Sequence, residues 1–185
     1  MKRASVVVAL ALVTSFSITG TSHAQWRSYI GGLHFGYATS TDDGGPSGSV
    51  GGTLAGYTMR SEVLGAGFEV GYHYLGKTSG ASAIGQGLWQ TTANFRAQSN
   101  SAKLQPYFVG GLGVYWVNTS IGDPTITSTT VGRFGFNLGG GIALPLKGKN
   151  VQLAVDGRWH EVVDGNPGGT ELDAVTIYGG ILFTR

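Results

Sequence analysis

The stretch GFNLGGGIALPLKGKNVQLAVDGRWH, residues 135–160, consists of two alternating runs joined by the short segment PLKGKN. In the first run Phe136, Leu138 and Ile142 fall on one face, with Asn137 and several glycines on the other. The second run repeats the pattern, with mostly apolar residues at the odd positions and polar residues at most of the even ones. A two-residue period is that of a β-strand. The stretch therefore predicts an antiparallel hairpin with one apolar and one polar face.

The rest of the chain repeats this unit. In residues 63–74, Phe68, Val70 and Tyr72 alternate with Glu69 and His73 on the opposite face. The same periodicity predicts eight strands in all, at residues 29–39, 50–59, 63–74, 84–97, 106–116, 135–144, 151–160 and 171–183. A soluble sandwich would bury the apolar faces against each other, whereas a membrane barrel turns them toward lipid and the polar faces inward.

The connections between the predicted strands favour the membrane barrel. Those after strands two, four and six are short, and those after strands one, three, five and seven are longer, the longest being 118–129. Outer-membrane barrels show this asymmetry, with short periplasmic turns and longer extracellular loops. We predict an all-β fold, an eight-stranded antiparallel up-and-down transmembrane β-barrel in the cell outer membrane.

The charged residues of the connections divide in the same way. The short turns contain basic residues, namely Arg60, Lys103, Lys147 and Lys149. The long loops contain acidic residues, namely Asp42, Asp43, Asp123 and Asp164, and Lys77 is the exception.

The first 24 residues are typical of a secretory signal peptide. Lys2 and Arg3 precede an apolar run, and Ser22-His23-Ala24 resembles a cleavage site. The apolar run is shorter than the roughly 20 residues of a membrane-spanning helix. We therefore expect a cleaved signal at 1–24 and a β-barrel domain at 25–185.

The composition excludes several classes of site. Without Lys2 and Arg3 the 12 basic residues become ten against ten acidic ones, so the mature chain is neutral and has no basic cluster for nucleic acid. The absence of cysteine removes disulfides and thiolate chemistry. The aspartate-containing loops lack the ligand spacing of a calcium loop. We expect no cofactor, no metal and no nucleic-acid partner.

Three segments carry a resemblance to a known family: PYFVGGLGVYW at 106–116, FGFNLGGGIALPL at 134–146 and the terminal YGGILFTR. They resemble the small eight-stranded outer-membrane barrels of the OmpA and OmpX kind. The resemblance implies a monomer surrounded by outer-membrane lipid and lipopolysaccharide and inserted by the barrel-assembly machinery. That machinery recognises a terminal aromatic residue in such proteins. Here Arg185 stands in that position, which implies less efficient assembly or a truncated C-terminus.

An eight-stranded barrel is just wide enough for inward side chains to fill it. We predict a polar network of paired charges inside, with Glu69 facing Arg96 and Asp156 facing Arg133 across adjacent strands. A narrow solute path is the alternative. The predicted interior residues are His34, Glu69, His73, Arg96, Arg133, Asn137, Asp156, Arg158 and His160.

The segment Arg158-Trp159-His160-Glu161, with Glu171 across the next loop, resembles part of the outer-membrane lipid A deacylases. Those enzymes carry a serine two residues after the histidine, and Val162 stands there instead. Without a nucleophile, acyl transfer has no covalent route, so we assign no catalytic residue. The sequence predicts a structural or surface-exposed protein that contributes to envelope integrity and binds or adheres through its loops. A lipid A-modifying enzyme with a site near His160 and a narrow passive pore are the alternatives.

Overall fold

The computed structural model describes residues 28–41, 48–77, 84–101, 103–121, 128–147, 150–163 and 172–185. The predicted signal peptide and Glu171 lie outside these ranges. The eight strands are β1 (Ser28–Ser40), β2 (Ser49–Met59), β3 (Leu64–Lys77), β4 (Ile84–Gln98), β5 (Gln105–Ile121), β6 (Ser128–Pro145), β7 (Val151–Val163) and β8 (Leu172–Thr184).

The strands form a closed barrel in which each strand pairs antiparallel with the next and β8 pairs with β1. At the seam the Tyr29 N–H donates to the Arg185 carbonyl (2.7 Å), and the Arg185 N–H donates to the Tyr29 carbonyl (2.9 Å). Closure leaves no strand edge with unpaired backbone groups. The predicted fold class is confirmed. No helix within the described ranges is long and apolar enough to span a membrane.

Four strands extend at least three residues further than the sequence predicts. β3 reaches Lys77, β5 reaches Ile121, β6 begins at Ser128 and β7 reaches Val163. The connection predicted at 118–129 therefore contains only residues 122–127. Asn118 pairs with Thr130 in the β5–β6 register, and its amide donates to the Thr130 hydroxyl (3.0 Å). The prediction of that boundary was wrong because this part of the hairpin carries Ser, Thr and Asn and has no apolar period to detect.

The two faces of the wall have opposite chemistry. Large apolar side chains such as Phe35, Leu54 and Ile177 are exposed on the outside, as expected of a surface that contacts lipid hydrocarbon. The termini of the barrel lie at the end with the turns 60–63, 99–104 and 146–150, which is the periplasmic end. The opposite end is called the outer end below.

The interior has three layers. At the periplasmic end lies the lower apolar layer, which consists of Ile30, Ala55, Tyr57, Met59, Tyr107, Val109, Ala143, Ala154 and Leu182. At the outer end lies the upper apolar layer, which consists of Ala38, Leu75, Leu88, Tyr115, Val117, Val162, Leu172 and Ala174. Between them lies a layer of buried polar and charged side chains, here called the polar layer.

Candidate functional site

The polar layer centres on Arg158 of β7. Its Nη1 donates to Glu69 Oε2 of β3 (2.6 Å), and its Nη2 donates to Asp156 Oδ2 (3.0 Å). All three side chains are almost completely buried. Gln90 Nε2 of β4 donates to the other Glu69 oxygen (2.9 Å). Buried charges need such partners, since an isolated one would be strongly destabilising. One guanidinium therefore holds two carboxylates from different strands.

Arg96 of β4 joins this group through an aromatic ring. Its guanidinium carbon lies 3.7 Å from the centroid of the Tyr107 ring, a cation–π contact. The Tyr107 hydroxyl donates to Asp156 Oδ2 (3.0 Å). Arg96 also donates through Nε to Gln98 Oε1 (2.9 Å). The layer thus contains two arginines and two carboxylates, and their formal charges balance.

The ion pairs expected from the sequence were wrong. Arg96 pairs in register with Gly65 of β3, four residues from Glu69, which is roughly 13 Å along a strand. Asp156 pairs with Gly141 of β6, eight residues from Arg133. Neighbouring strands therefore carry these charges at different heights. The Arg158–Glu69 pair crosses the barrel interior, whereas Arg158 and Asp156 lie two residues apart on β7.

His73 and His160 lie on the outer side of the charged group. His73 accepts or donates a hydrogen bond with the Tyr178 hydroxyl, and its ring lies 5.3 Å from that of His160. His160 contacts the Tyr115 hydroxyl through Nδ1 (3.3 Å) and Thr176 Oγ1 through Nε2 (3.2 Å). Both ring nitrogens of His160 thus face the inside of the barrel and have partners there.

The remaining predicted residues also lie on described strands. His34 Nδ1 lies 3.4 Å from Thr53 Oγ1, and its Nε2 lies 4.0 Å from Asp156 Oδ2. The Asn137 amide donates to Asn94 Oδ1 (3.0 Å). Eight of the nine predicted interior residues are buried, and Arg133 is half-buried toward the outer end.

The sequence reasoning missed four interior tyrosines, which are Tyr57, Tyr107, Tyr115 and Tyr178. Aromatic residues in a membrane barrel are typical of the interfacial belt on the outer face. The two-residue period of the strand is the signal that distinguishes such a residue from one that faces the interior. Tyr107 alternates with Phe108, which is exposed to the outside, so Tyr107 faces inward. The hydroxyls of Tyr107, Tyr115 and Tyr178 form hydrogen bonds with Asp156, His160 and His73, respectively.

Inward glycines of β6 make room for the central charges. A Cβ at Gly141 would lie 2.6 Å from Asp156 Cβ, and a Cβ at Gly139 would lie 2.7 Å from Arg158 Cγ and would also clash with the Gly157 carbonyl oxygen. Glycine is the residue that allows such close approach in a strand. Gly139 and Gly141 of β6 therefore leave space for the neighbouring Arg158 and Asp156 side chains.

The described residues contain no group of three or more His, Asp or Glu side chains placed to hold a metal ion. Val162, in the position of the deacylase serine, is completely buried in the upper apolar layer. The side chains of the polar layer neutralise one another's charges, and together with the two apolar layers they fill the barrel interior.

The profile of the family described as outer membrane protein beta-barrel domain matches residues 8–181. The chain belongs to that family. This outer membrane protein beta-barrel domain therefore lies in the cell outer membrane, as its sequence pattern predicts. A comparison with the curated proteins finds no match to it.

Solved structures of several outer-membrane barrels are similar to this barrel domain. Neisserial surface protein A (NspA) has a TM-score of 0.65 at 13% identity, covering 84% of this chain and 96% of that one. The N-terminal β-barrel domain of Pseudomonas aeruginosa OprF has a TM-score of 0.54 at 12% identity, covering 85% and 97%. Ail of Yersinia pestis, in complex with the heparin analogue sucrose octasulfate, has a TM-score of 0.54 at 13% identity, covering 85% and 99%. At such identities the likeness shows the fold alone.

Proposed function

We propose that the protein is a structural, surface-exposed barrel that contributes to envelope integrity and binds its partners through the connections at the outer end. The observation that carries this proposal is the filled interior. The polar layer has its charges balanced by internal partners, and apolar layers lie above and below it. The barrel is then a rigid scaffold, and binding on such scaffolds is carried by the loops.

The charge of the outer connections restricts the partner. The sequence between the strands at this end contains no lysine or arginine, and its acidic residues are Asp42, Asp43, Asp123, Asp164 and Glu171. Like charges across an interface oppose binding. We therefore expect a neutral or cationic partner, and we expect a sulfated polyanion such as sucrose octasulfate to bind poorly.

The test replaces residues 42–47 and 164–171 with short Gly-Ser segments in cells that express the full chain. We expect wild-type cells to adhere to polylysine-coated surfaces more than to heparin-coated surfaces, and the replaced variant to lose that preference. In the matched control variant, residues 147–149 at the periplasmic end are replaced instead. We expect this variant to keep the preference for polylysine-coated surfaces. Equal adherence of the replaced variant and the wild type would overturn the proposed role of these connections.

The filled interior also supports the proposal that the protein is not a pore. Leu75 and Leu88 of the upper apolar layer and Val109 and Leu182 of the lower one have no exposed surface. We expect purified protein in planar bilayers to give no single-channel events. Regular conductance steps that depend on the protein would contradict this.

We further propose that the protein does not hydrolyse lipid A. The inward orientation of His160, with Tyr115 and Thr176 on its ring nitrogens, and the valine at position 162 support this. Mass spectrometry of lipid A from cells with and without the protein is expected to show identical acylation. Loss of an acyl chain that is abolished in a folded His160→Ala variant would establish the enzyme instead.

A further inference from the structure

Two histidines from opposite walls meet inside the barrel. His73 lies on β3 and His160 on β7, and these two strands are diametrically opposite in the closed order of eight. The two rings lie 5.3 Å apart, and neither residue has any exposed surface. Closure of the barrel therefore holds the two imidazoles against each other.

A tyrosine from a further strand is bonded to each histidine. The Tyr178 hydroxyl of β8 is hydrogen-bonded to His73 Nδ1, and the two rings are stacked at a centroid distance of 5.8 Å. The Tyr115 hydroxyl of β5 lies 3.3 Å from His160 Nδ1, and these rings meet edge to face at 6.1 Å. Thr176 Oγ1 of β8 lies 3.2 Å from His160 Nε2. The four rings, here called the imidazole cluster, join β3, β5, β7 and β8 across the interior.

The carboxylates of the polar layer are already bonded to a cation. Glu69 and Asp156 lie four residues from His73 and His160, respectively, toward the periplasmic end, which is roughly 13 Å along a strand. Both carboxylates accept hydrogen bonds from Arg158, which lies two residues from His160 on the same inward face of β7. Among the described residues, neither His73 nor His160 has a carboxylate oxygen within 4.0 Å.

The other strands around the imidazole cluster present neutral residues or a further cation. The neutral residues in register with the two histidines are Gly51 of β2, Leu88 of β4, Asn137 of β6 and Ala174 of β8. Arg133 of β6, in register with Tyr115, is half-buried on the outer side. β1 carries His34, whose Nε2 lies 4.0 Å from Asp156 Oδ2. A proton on His73 or His160 would therefore be added beside cations and not beside a carboxylate.

Protonation of both histidines conflicts with the closed barrel. The two arginines and two carboxylates of the polar layer balance when His73 and His160 are neutral. Two imidazolium rings would place positive charges 5.3 Å apart between the two apolar layers. A buried charge without a partner is strongly destabilising. In an unfolded chain, by contrast, each ring reaches water and takes up a proton below about pH 6.5. Low pH therefore favours the opened state over the closed one.

We propose that the His73–His160 pair is an acid-sensitive latch between the opposite walls β3 and β7. The neutral pair, together with Tyr115 and Tyr178, packs the outer half of the interior and keeps the barrel closed. Uptake of protons from water and separation of the walls occur together, so the population of closed barrel falls as the pH falls through about 6.5. The latch lies in the interior, so it is independent of the role proposed above for the outer connections.

The test compares urea unfolding of the purified protein in lipid vesicles at about pH 8 and about pH 5. Each histidine that is neutral in the closed barrel and titrates normally in the unfolded chain raises the equilibrium constant for unfolding about thirtyfold between these pH values. The variant with both His73→Gln and His160→Gln keeps side chains that form hydrogen bonds but take up no proton. Its rise should be about a thousandfold smaller than that of the wild type.

Single variants and a third histidine supply the controls. His73→Gln and His160→Gln should each reduce the rise about thirtyfold. The matched control is His34→Gln, because His34 is equally buried but has the Asp156 carboxylate beside it. This control should reduce the rise less than either of the other two, since a nearby carboxylate stabilises a proton on histidine. An equal reduction by all three single variants, or no reduction by the double variant, would overturn the proposal.

A second measurement uses the wild-type protein and does not depend on the folding of any variant. Nuclear magnetic resonance follows the ring protons of His73 and His160 in lipid nanodiscs between about pH 8 and about pH 5. We expect their chemical shifts to stay constant as long as the barrel is closed. Titration of either ring with a midpoint near about pH 6.5 in a closed barrel would show that protonation and closure are compatible, and the latch would then be refuted.

Discussion

Replacing Arg158 with methionine tests the central claim about the interior. Methionine has a similar length but no charge, so Glu69 and Asp156 would lose the guanidinium that both of them contact. Arg96 would then be the one arginine in the polar layer for two carboxylates. Arg158 donates to these carboxylates at 2.6 Å and 3.0 Å, and all three side chains are almost fully buried. Unit charges about 4 Å apart attract by about 4 kcal/mol at an effective dielectric constant near 20. Breaking a buried pair by removing one partner typically costs about 3–5 kcal/mol.

We therefore expect Arg158→Met to lower the free energy of unfolding by about 3–5 kcal/mol. The assay is reversible urea unfolding of the purified protein in lipid vesicles, followed by tryptophan fluorescence. Arg60→Met is the control, because Arg60 is exposed in a periplasmic turn, and its effect should stay within about 0.5 kcal/mol.

A compensating variant separates charge from packing. Adding Glu69→Gln to Arg158→Met leaves the polar layer with one arginine, Arg96, and one carboxylate, Asp156. It should recover most of the lost stability, since a neutral replacement of a buried ion pair is often tolerated. The reasoning would be refuted if Arg158→Met were no more destabilising than Arg60→Met. It would also be refuted if Glu69→Gln gave no recovery, because packing of the Arg158 side chain would then carry the whole effect.

Three further outcomes follow from the barrel interior and its closure. Gly139→Ala should lower the free energy of unfolding by about 1–3 kcal/mol in the same urea assay, because the added Cβ would meet the Gly157 carbonyl oxygen. The control is Gly179→Ala, since Gly179 has open space around it. This control should be neutral or should stabilise the protein by up to about 1 kcal/mol. Tyr107→Phe should cost about 1–3 kcal/mol, since it removes the hydroxyl bonded to Asp156, and an unchanged urea midpoint would contradict that role. The protein in the outer-membrane fraction should migrate differently on a denaturing gel with and without boiling, and a boil-independent band would count against a closed barrel.

The facing of most strands was predictable because it is a local property. In β3 and β7 every second residue is apolar, and the structure exposes that set and turns Glu69, His73, Asp156 and Arg158 inward. The period of the pattern needs no knowledge of neighbouring strands. The polar hairpin of β5 and β6 beyond the apolar belt was not predictable, since its two faces do not differ in polarity.

The Arg158–Glu69 ion pair was not predictable from strand adjacency, whereas Arg158 and Asp156 lie two residues apart on the same face of β7. Arg158 and Glu69 are 89 residues apart and lie on strands that are not neighbours. Their meeting depends on the stagger between strands, which sets the height of each residue, and on closure, which brings opposite walls within reach of one arginine. Neither the stagger nor the closure can be deduced from the two-residue alternation of polarity along a single strand.

Sequence alone determined the number of strands, the inward and outward faces of most of them and the membrane location, because alternation of polarity along a strand is a local consequence of having lipid on one side. Tertiary structure alone decided that Arg158 pairs with Glu69, that the Tyr107 hydroxyl bonds to Asp156 and that a β-bulge between Tyr74 and Gly76 interrupts the pairing of β3 with β4. Those outcomes depend on distances between residues that only the closed, staggered barrel brings together.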